Sequence, residues 1–327
     1  MRALKGAVSL EPTLTHKREV TPKEFIKVPR SLFFFLLLKS SSIHALLTLI
    51  PVFTSPMSLS TLPVELVDNI IRPLASTDWV TLSRTCSSLT PVALRWLYRN
   101  ITVSHNLSVV TILVKRPDLA NFVRSFSLNT TALSPPFPHF YHELAQALSN
   151  MTEVTSVHLL VDSSNSWILE EASQNAQFER LQQFTCSFPL DSHVAKFLDR
   201  TPALLELEVD SMSYDPSAAA SALASSALPH LAQFIGSVRA AKVIVPGRPV
   251  EGIHLNEGDL VEGDVARLAE STANVSVLGA TASEPPVPLL ESIAQHFPHL
   301  AYLRIMTTYH FTHAPQVVSF FLFTVKQ

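Results

Sequence analysis

Thr201-Pro202-Ala203-Leu204-Leu205-Glu206-Leu207-Glu208-Val209 is the stretch on which the fold turns. From Leu205 onward apolar and charged residues alternate, the period of a strand with one face buried and the other in water. Pro202 ends the preceding helix and sends the chain into extended structure. In that helix, begun by Ser192 as a cap, Val194, Phe197 and Leu198 share one face. The same phrase recurs at Leu228-Pro229-His230-Leu231 and Phe297-Pro298-His299-Leu300. Short apolar segments that read as strands fall at 122–128, 154–161, 181–185, 204–209, 231–235, 252–255, 275–278 and 300–305. Their centres lie roughly 20–32 residues apart, close to the period of one strand-and-helix repeat. The expected fold class is therefore α/β, with residues 104–327 forming an irregular solenoid. Each unit buries its apolar side only against its neighbours, and the strands line a concave face suited to a protein partner.

Ahead of the repeats, residues 57–103 predict three short helices. Thr61 and Pro63 are starting signals, Leu66 and Ile70 lay down an apolar face, and Pro73 stops the helix. Ser76-Thr77-Asp78 offers caps for a second helix with Leu82, Cys86 and Leu89 on one side. Thr90-Pro91 opens a third, where Leu94, Leu97 and Tyr98 share a face before the β-branched Ile101-Thr102-Val103. So small a unit holds little core, so exposed apolar residues, Trp79 and Trp96 among them, are expected to need a partner or a following domain.

The order Leu62-Pro63-x-Glu65-Leu66, Ile70-Ile71-x-x-Leu74, Asp78-Trp79-Val80-x-Leu82-Ser83-x-Thr85-Cys86 and Leu94-Arg95-x-Leu97-Tyr98 resembles an F-box, over about 45 of 327 residues. Ser87-Ser88-Leu89 departs from the pattern, because many members carry a basic residue and a Trp after the cysteine. The repeats resemble the degenerate leucine-rich arrays that follow the F-box in fungal proteins of this type. The resemblance implies binding to a Skp-type adaptor and, through it, to a cullin–RING ubiquitin ligase. By motif position, Leu62, Pro63, Glu65, Leu66, Ile70, Leu74, Leu82 and Leu97 face the adaptor or support that face. The implied function is a non-catalytic substrate receptor, with no cofactor, an unidentified protein target, and a place in the cytoplasm or nucleus. Two alternatives stay open: a scaffolding repeat protein outside any ligase, and a secreted or membrane-anchored repeat glycoprotein.

Composition trims the field. The chain has 7 glycines, 46 leucines and a net charge of −3. Phosphate-cradling turns need clustered glycines, and neither G-x-G-x-x-G nor G-x-x-x-x-G-K-[ST] occurs, which disfavours the familiar nucleotide enzymes. Six glycines crowd into 236–279, where the repeat rhythm is expected to be least regular. A near-neutral chain without a basic stripe gives no footprint for nucleic acid. Residues 1–56 carry eight Lys/Arg and three Glu. Their apolar stretch 32–53 is interrupted by Lys39, three serines and His44, which argues against a membrane span. This leader is expected to be disordered or a gene-model artefact, with translation starting at Met57. The apolar Phe320-Phe321-Leu322-Phe323 lacks a polar capping repeat, which points to a truncated end.

Chemistry is sparse. His139 and His142 lie three apart, as do His310 and His313, without a third ligand nearby in sequence. No G-x-S-x-G elbow marks a nucleophile. Glu257 to Asp264 reads as a solvated turn, lacking calcium-loop spacing. Cys86 and Cys186, a hundred residues apart, read as two buried thiols in a reducing compartment, with one disulfide between them as the alternative. Five N-x-[ST] sequons, at Asn100, Asn106, Asn129, Asn150 and Asn274, carry the glycoprotein alternative.

Overall fold

The computed structural model describes residues 62–130, 137–174, 176–210, 223–283 and 286–307, and every structural statement below concerns these. The leader, His310, His313 and the apolar end at 320–323 lie outside them.

The chain is mixed α/β. Three helices come first: α1 Val64–Ile71, α2 Ser76–Thr85 and α3 Thr90–Leu97. After Tyr98 and Arg99 the backbone becomes β1 Asn100–Val103, so Ile101-Thr102-Val103 opens the sheet. There follow α4 Ser108–Lys115, α5 Pro117–Ala120, β2 Ser125–Asn129, α6 Pro138–Asn150, β3 Ser156–Leu160, α7 Trp167–Gln174, β4 Gln183–Pro189 and α8 Ser192–Leu198. Beyond these come β5 Glu206–Asp210, β6 Gln233–Ser237, α9 Val238–Ile244, β7 Gly252–Asp259, α10 Glu262–Leu268, β8 Val277–Ala282, α11 Pro286–His296 and β9 Tyr302–Thr307.

The nine strands form one parallel sheet in unbroken chain order, β1 to β9. Right-handed crossovers that always step in one direction place their helices on the same face. Burial follows: in β2 and β3 every second residue is buried and the others are half-exposed. Register aligns the inward side chains into columns. One runs Phe126, Val157, Phe184, Leu207, Phe234, Ile253, Leu278 and Leu303. A second contains Leu128, Leu159, Cys186 and Val209. These columns and the inner helix faces make one continuous apolar core.

All eight predicted strand segments hold a strand, but most strands begin two residues later than predicted. Val154, Leu181, Leu204, Leu231 and Val275 each sit two positions ahead of the ladder and are buried in the turn. The apolar start of each phrase is thus a plug beneath the turn, not a rung of the sheet.

Side-chain caps locate several helix starts. Asp191, not Ser192, caps α8: its Oδ1 accepts the N–H groups of His193 and Val194, both at 2.9 Å, and its Oδ2 accepts Ser166 Oγ. An aspartate engaging two orphan amides stabilises a helix start by about 1 kcal/mol. Ser237 Oγ does the same for α9, accepting Ala240 N–H at 3.1 Å.

The glycine-rich stretch is more regular than its composition implies. It contains β7 and β8, and β7 is the longest strand at eight residues. Two of the sheet's three register shifts do fall there, at Gly236/Ser237 and between His254 and Asp259. The segment read as an acidic solvated turn is the end of β7 and the start of α10. Gly258 makes the bulge with φ +80°, and Leu260 is buried with its N–H on Thr281 O.

Adjacent helices are stitched by ion pairs. Glu170 of α7 accepts from Lys196 Nζ of α8 at 2.7 Å and pairs with His193 Nδ1. These hydrogen bonds, Lys196 first and His193 second, hold the Glu170 carboxyl below its ordinary value of 4.5. A depressed carboxylate adds stability above its unfolded pKa, and that contribution disappears as pH falls through the folded value. Glu170→Gln is therefore expected to flatten part of the acid limb of a melting-temperature profile taken below about pH 4.5. An unchanged acid limb in Glu170→Gln refutes this role.

Candidate functional site

Two surfaces are left unused by the core. The first is on the helical module. Val67 and Ile71 of α1, with Leu89 and Val92, form its small core, and Leu62, Leu74, Trp79, Leu82, Cys86 and Trp96 pack around them. The buried stripe of α1 is thus Val67 and Ile71. Leu66, 46% exposed, and Ile70, half-buried, form the adjoining stripe. Val64 is 50% exposed, and Pro63 and Glu65 are exposed beside it.

The eight residues singled out in the sequence therefore separate. Pro63, Glu65 and Leu66 are exposed, and Ile70 is half-buried beside Leu66. Leu62, Leu74 and Leu82 pack against the module core. Leu97 is half-buried near the end of α3.

The two tryptophans, expected from the sequence to be exposed, are partly buried against the module core. Their rings stack at 6.1 Å between centroids, and both N–H groups are satisfied within the module. Trp79 Nε1 donates to Ile71 O at 2.9 Å, and Trp96 Nε1 donates to Asp68 Oδ1 at 2.7 Å. The second helix is shorter than its apolar spacing implies. It ends at Thr85, and Cys86 is extended. Thr90 Oγ1 then donates to Ser83 O and Cys86 O, clamping the α2–α3 turn. No Ser or Thr side chain caps α2. Ala75 is its N-cap, and Asp78 accepts the Ala75 N–H at 3.4 Å.

The second surface is the other face of the sheet. Parallel sheets are ordinarily covered on both sides and apolar on both. Here the outward columns contribute nothing to the core. One contains Thr102, Ser127, His158, Thr185, Glu208, Ile235, His254, Gly279 and Arg304. Gln183, Glu206 and Gln233 stand in the next. Neighbouring rungs bond across strands: Gln183 Nε2 to Glu206 Oε2 at 3.0 Å and Thr185 Oγ1 to Glu208 Oε2 at 3.3 Å. Eight inter-strand steps of about 4.8 Å make this face roughly 38 Å wide. It is broad, polar and shallow, a geometry suited to a protein surface more than to a small molecule. Alternate positions of the predicted strands mark these side chains, as at Glu206 and Glu208.

Candidate chemistry is dispersed. His139 lies 3.5 Å from Glu143, whereas His142 pairs with Glu171 at 3.1 Å. No group of three His, Cys, Asp or Glu among the described residues is arranged to hold a metal. Cys186 is buried in β4, whereas Cys86, expected to be buried, is partly exposed, and the two are not joined. Of the sequon asparagines, Asn150 donates its amide to Leu113 O at 3.2 Å. Among the described residues no helix is long and apolar enough to cross a membrane. No protein-family model matches the chain, and no curated protein matches it.

Proposed function

We propose that the chain is the non-catalytic specificity subunit of a Skp–cullin–F-box ubiquitin ligase. In this reading the helical module is the F-box, and its outward patch of Pro63, Glu65, Leu66 and Ile70 docks on a Skp-type adaptor. The sheet and its helices are a leucine-rich-repeat solenoid whose open face holds the target protein. Its contribution to the reaction is proximity, since holding a target beside a ubiquitin-charged enzyme raises the local concentration of acceptor lysines. The observation that carries the reading is Leu66, 46% exposed beside exposed Pro63 on a helix whose own core uses a different stripe. An exposed apolar patch next to a saturated core marks an interaction site.

Co-precipitation with a Skp-type adaptor is the test. Leu66→Asp is expected to lower capture at least tenfold, the scale of losing a central interface anchor. Because Leu66 does not contribute to the module core, its circular dichroism and melting temperature should stay at wild-type values. Leu62→Ala with Pro63→Ala is expected to weaken capture too, through loss of support. Full capture by Leu66→Asp rejects this docking face. If the wild-type chain itself captures no adaptor, the scaffolding alternative replaces the ligase reading.

A further inference from the structure

The open face of the sheet carries charge of one sign. No strand from β1 to β8 contains a lysine or an arginine, and β9 contains one, Arg304. Residues 57–307 hold 15 Lys/Arg against 24 Asp/Glu, and every one of those cations except Arg304 stands on a helix or a turn. The strand carboxylates concentrate on β5 and β7. Glu206 is exposed and Glu208 half-buried, in adjacent outward columns. Asp259 is exposed at the end of β7 and pairs with Thr281, which follows Val277 and Gly279 on the outward side of β8. Glu206 and Glu208 accept hydrogen bonds from the neutral Gln183 and Thr185. None of the three carboxylates pairs with a cation among the described residues.

Between β5 and β7 the face changes character. There β6 presents Ile235, half-buried, in register with Glu208 on one side and His254 on the other. Gly252 and Gly279 put no side chain on the neighbouring outward positions. His254 leans over the second of them, since a Cβ at Gly279 would come within 3.0 Å of its Nδ1. The result is a shallow apolar strip flanked by carboxylates.

A parallel sheet ordinarily buries this side under a second layer. Left open and acidic, it selects its partner by sign. Nucleic acid and acidic segments are repelled. A metal ion needs three or more converging ligands, and no such group exists among the described residues. A basic polypeptide satisfies both features, since Lys and Arg stems cover apolar surface while their heads meet carboxylates. Two inter-strand steps from β5 to β7 span about 10 Å, and three residues of extended chain span the same distance. A segment crossing the strands can therefore set basic residues three apart near Glu208 and Asp259, with the residues between them over Ile235.

We propose that the open face at β5–β7 docks an extended segment of the target protein that carries Lys or Arg at positions three apart. The inference rests on the reading of this face as the target-holding surface and is independent of adaptor docking.

The test is fluorescence anisotropy of the purified full-length chain, without adaptor. The probes are labelled degenerate peptide pools with Arg-x-x-Arg, Gln-x-x-Gln or Glu-x-x-Glu at the centre. The arginine pool is expected to bind at least tenfold more tightly than the glutamine pool, with affinity falling as salt rises, and the glutamate pool should bind most weakly. Glu206→Gln with Glu208→Gln is expected to remove most of that preference while the circular dichroism stays native. Asp259→Asn should weaken binding severalfold. Glu262→Gln with Glu291→Gln removes the same number of charges from α10 and α11 and should leave binding unchanged. Equal affinity for the arginine and glutamine pools overturns the proposal. So does an equal loss in the helical pair, which reduces the effect to net charge. Peptide affinity that falls as chain concentration rises, the mark of a second copy on this face, overturns it too. Since no adaptor is present, failure here leaves the Leu66→Asp result standing.

Discussion

Phe184→Ala is expected to lower the unfolding free energy by about 3–5 kcal/mol, the range for deleting a buried aromatic ring. Phe184 is 1% exposed in the inward column, between Val157 and Leu207. Its ring lies 4.9 Å from that of Phe197 on α8, which also meets Phe178 at 5.0 Å. The three rings join β4, α8 and the turn before β4. Backbone on several sides pins the lining of the resulting cavity, so it cannot collapse to fill the void. Phe184→Leu keeps most of the volume and is expected to cost less than about 1.5 kcal/mol. Urea unfolding followed by circular dichroism measures both; a loss below about 1 kcal/mol for the alanine variant contradicts this packing account.

Arg248→Met is the second large effect, about 3–5 kcal/mol, because it strips a buried cation from acceptors that have no replacement. Arg248 is 5% exposed. Its Nε donates to Ala227 O at 3.0 Å and its Nη2 to Ala224 O at 3.2 Å. Its Nη1 donates to Ile244 O at 2.7 Å and Val243 O at 3.2 Å. The last two are carbonyls at the C-terminal end of α9, where a helix dipole favours positive charge. Burial lowers the proton affinity of this guanidinium, and Asp199 partly offsets the effect. The side chain therefore ties residues 224–227, α9 and the turn before β7 together, with no ion-pair partner in contact among the described residues. Arg248→Lys, with one nitrogen in place of three, should recover only a minor part of the loss. A methionine variant as stable as wild type in the same urea titration defeats the argument.

The sequence made the sheet legible through alternation, as at Leu205 to Val209, and through the Pro-led turns that restart it. The two-residue offset at most strands was not legible, since period-2 patterning cannot distinguish a plug beneath a turn from a rung of the ladder. The burial of Trp79 and Trp96 was not legible, because the two rings depend on each other and on Ile71 and Asp68, which lie eight and twenty-eight residues away. Within α1, Leu66/Ile70 and Val67/Ile71 are equivalent in spacing. Only the placement of α3 decides which pair turns inward.

The unbroken strand order has a kinetic consequence. Every strand pairs with its immediate successor in the chain, so no native rung requires closure of a loop longer than one unit. Loop-closure entropy is thus paid in small, similar instalments. Structure can start at any well-packed pair and spread in both directions, with the ring cluster around Phe184 as the natural origin. Protection against hydrogen exchange is then expected to peak at β4 and β5 and to decline toward β9, so that the molecule opens from one end like a spring and not all at once.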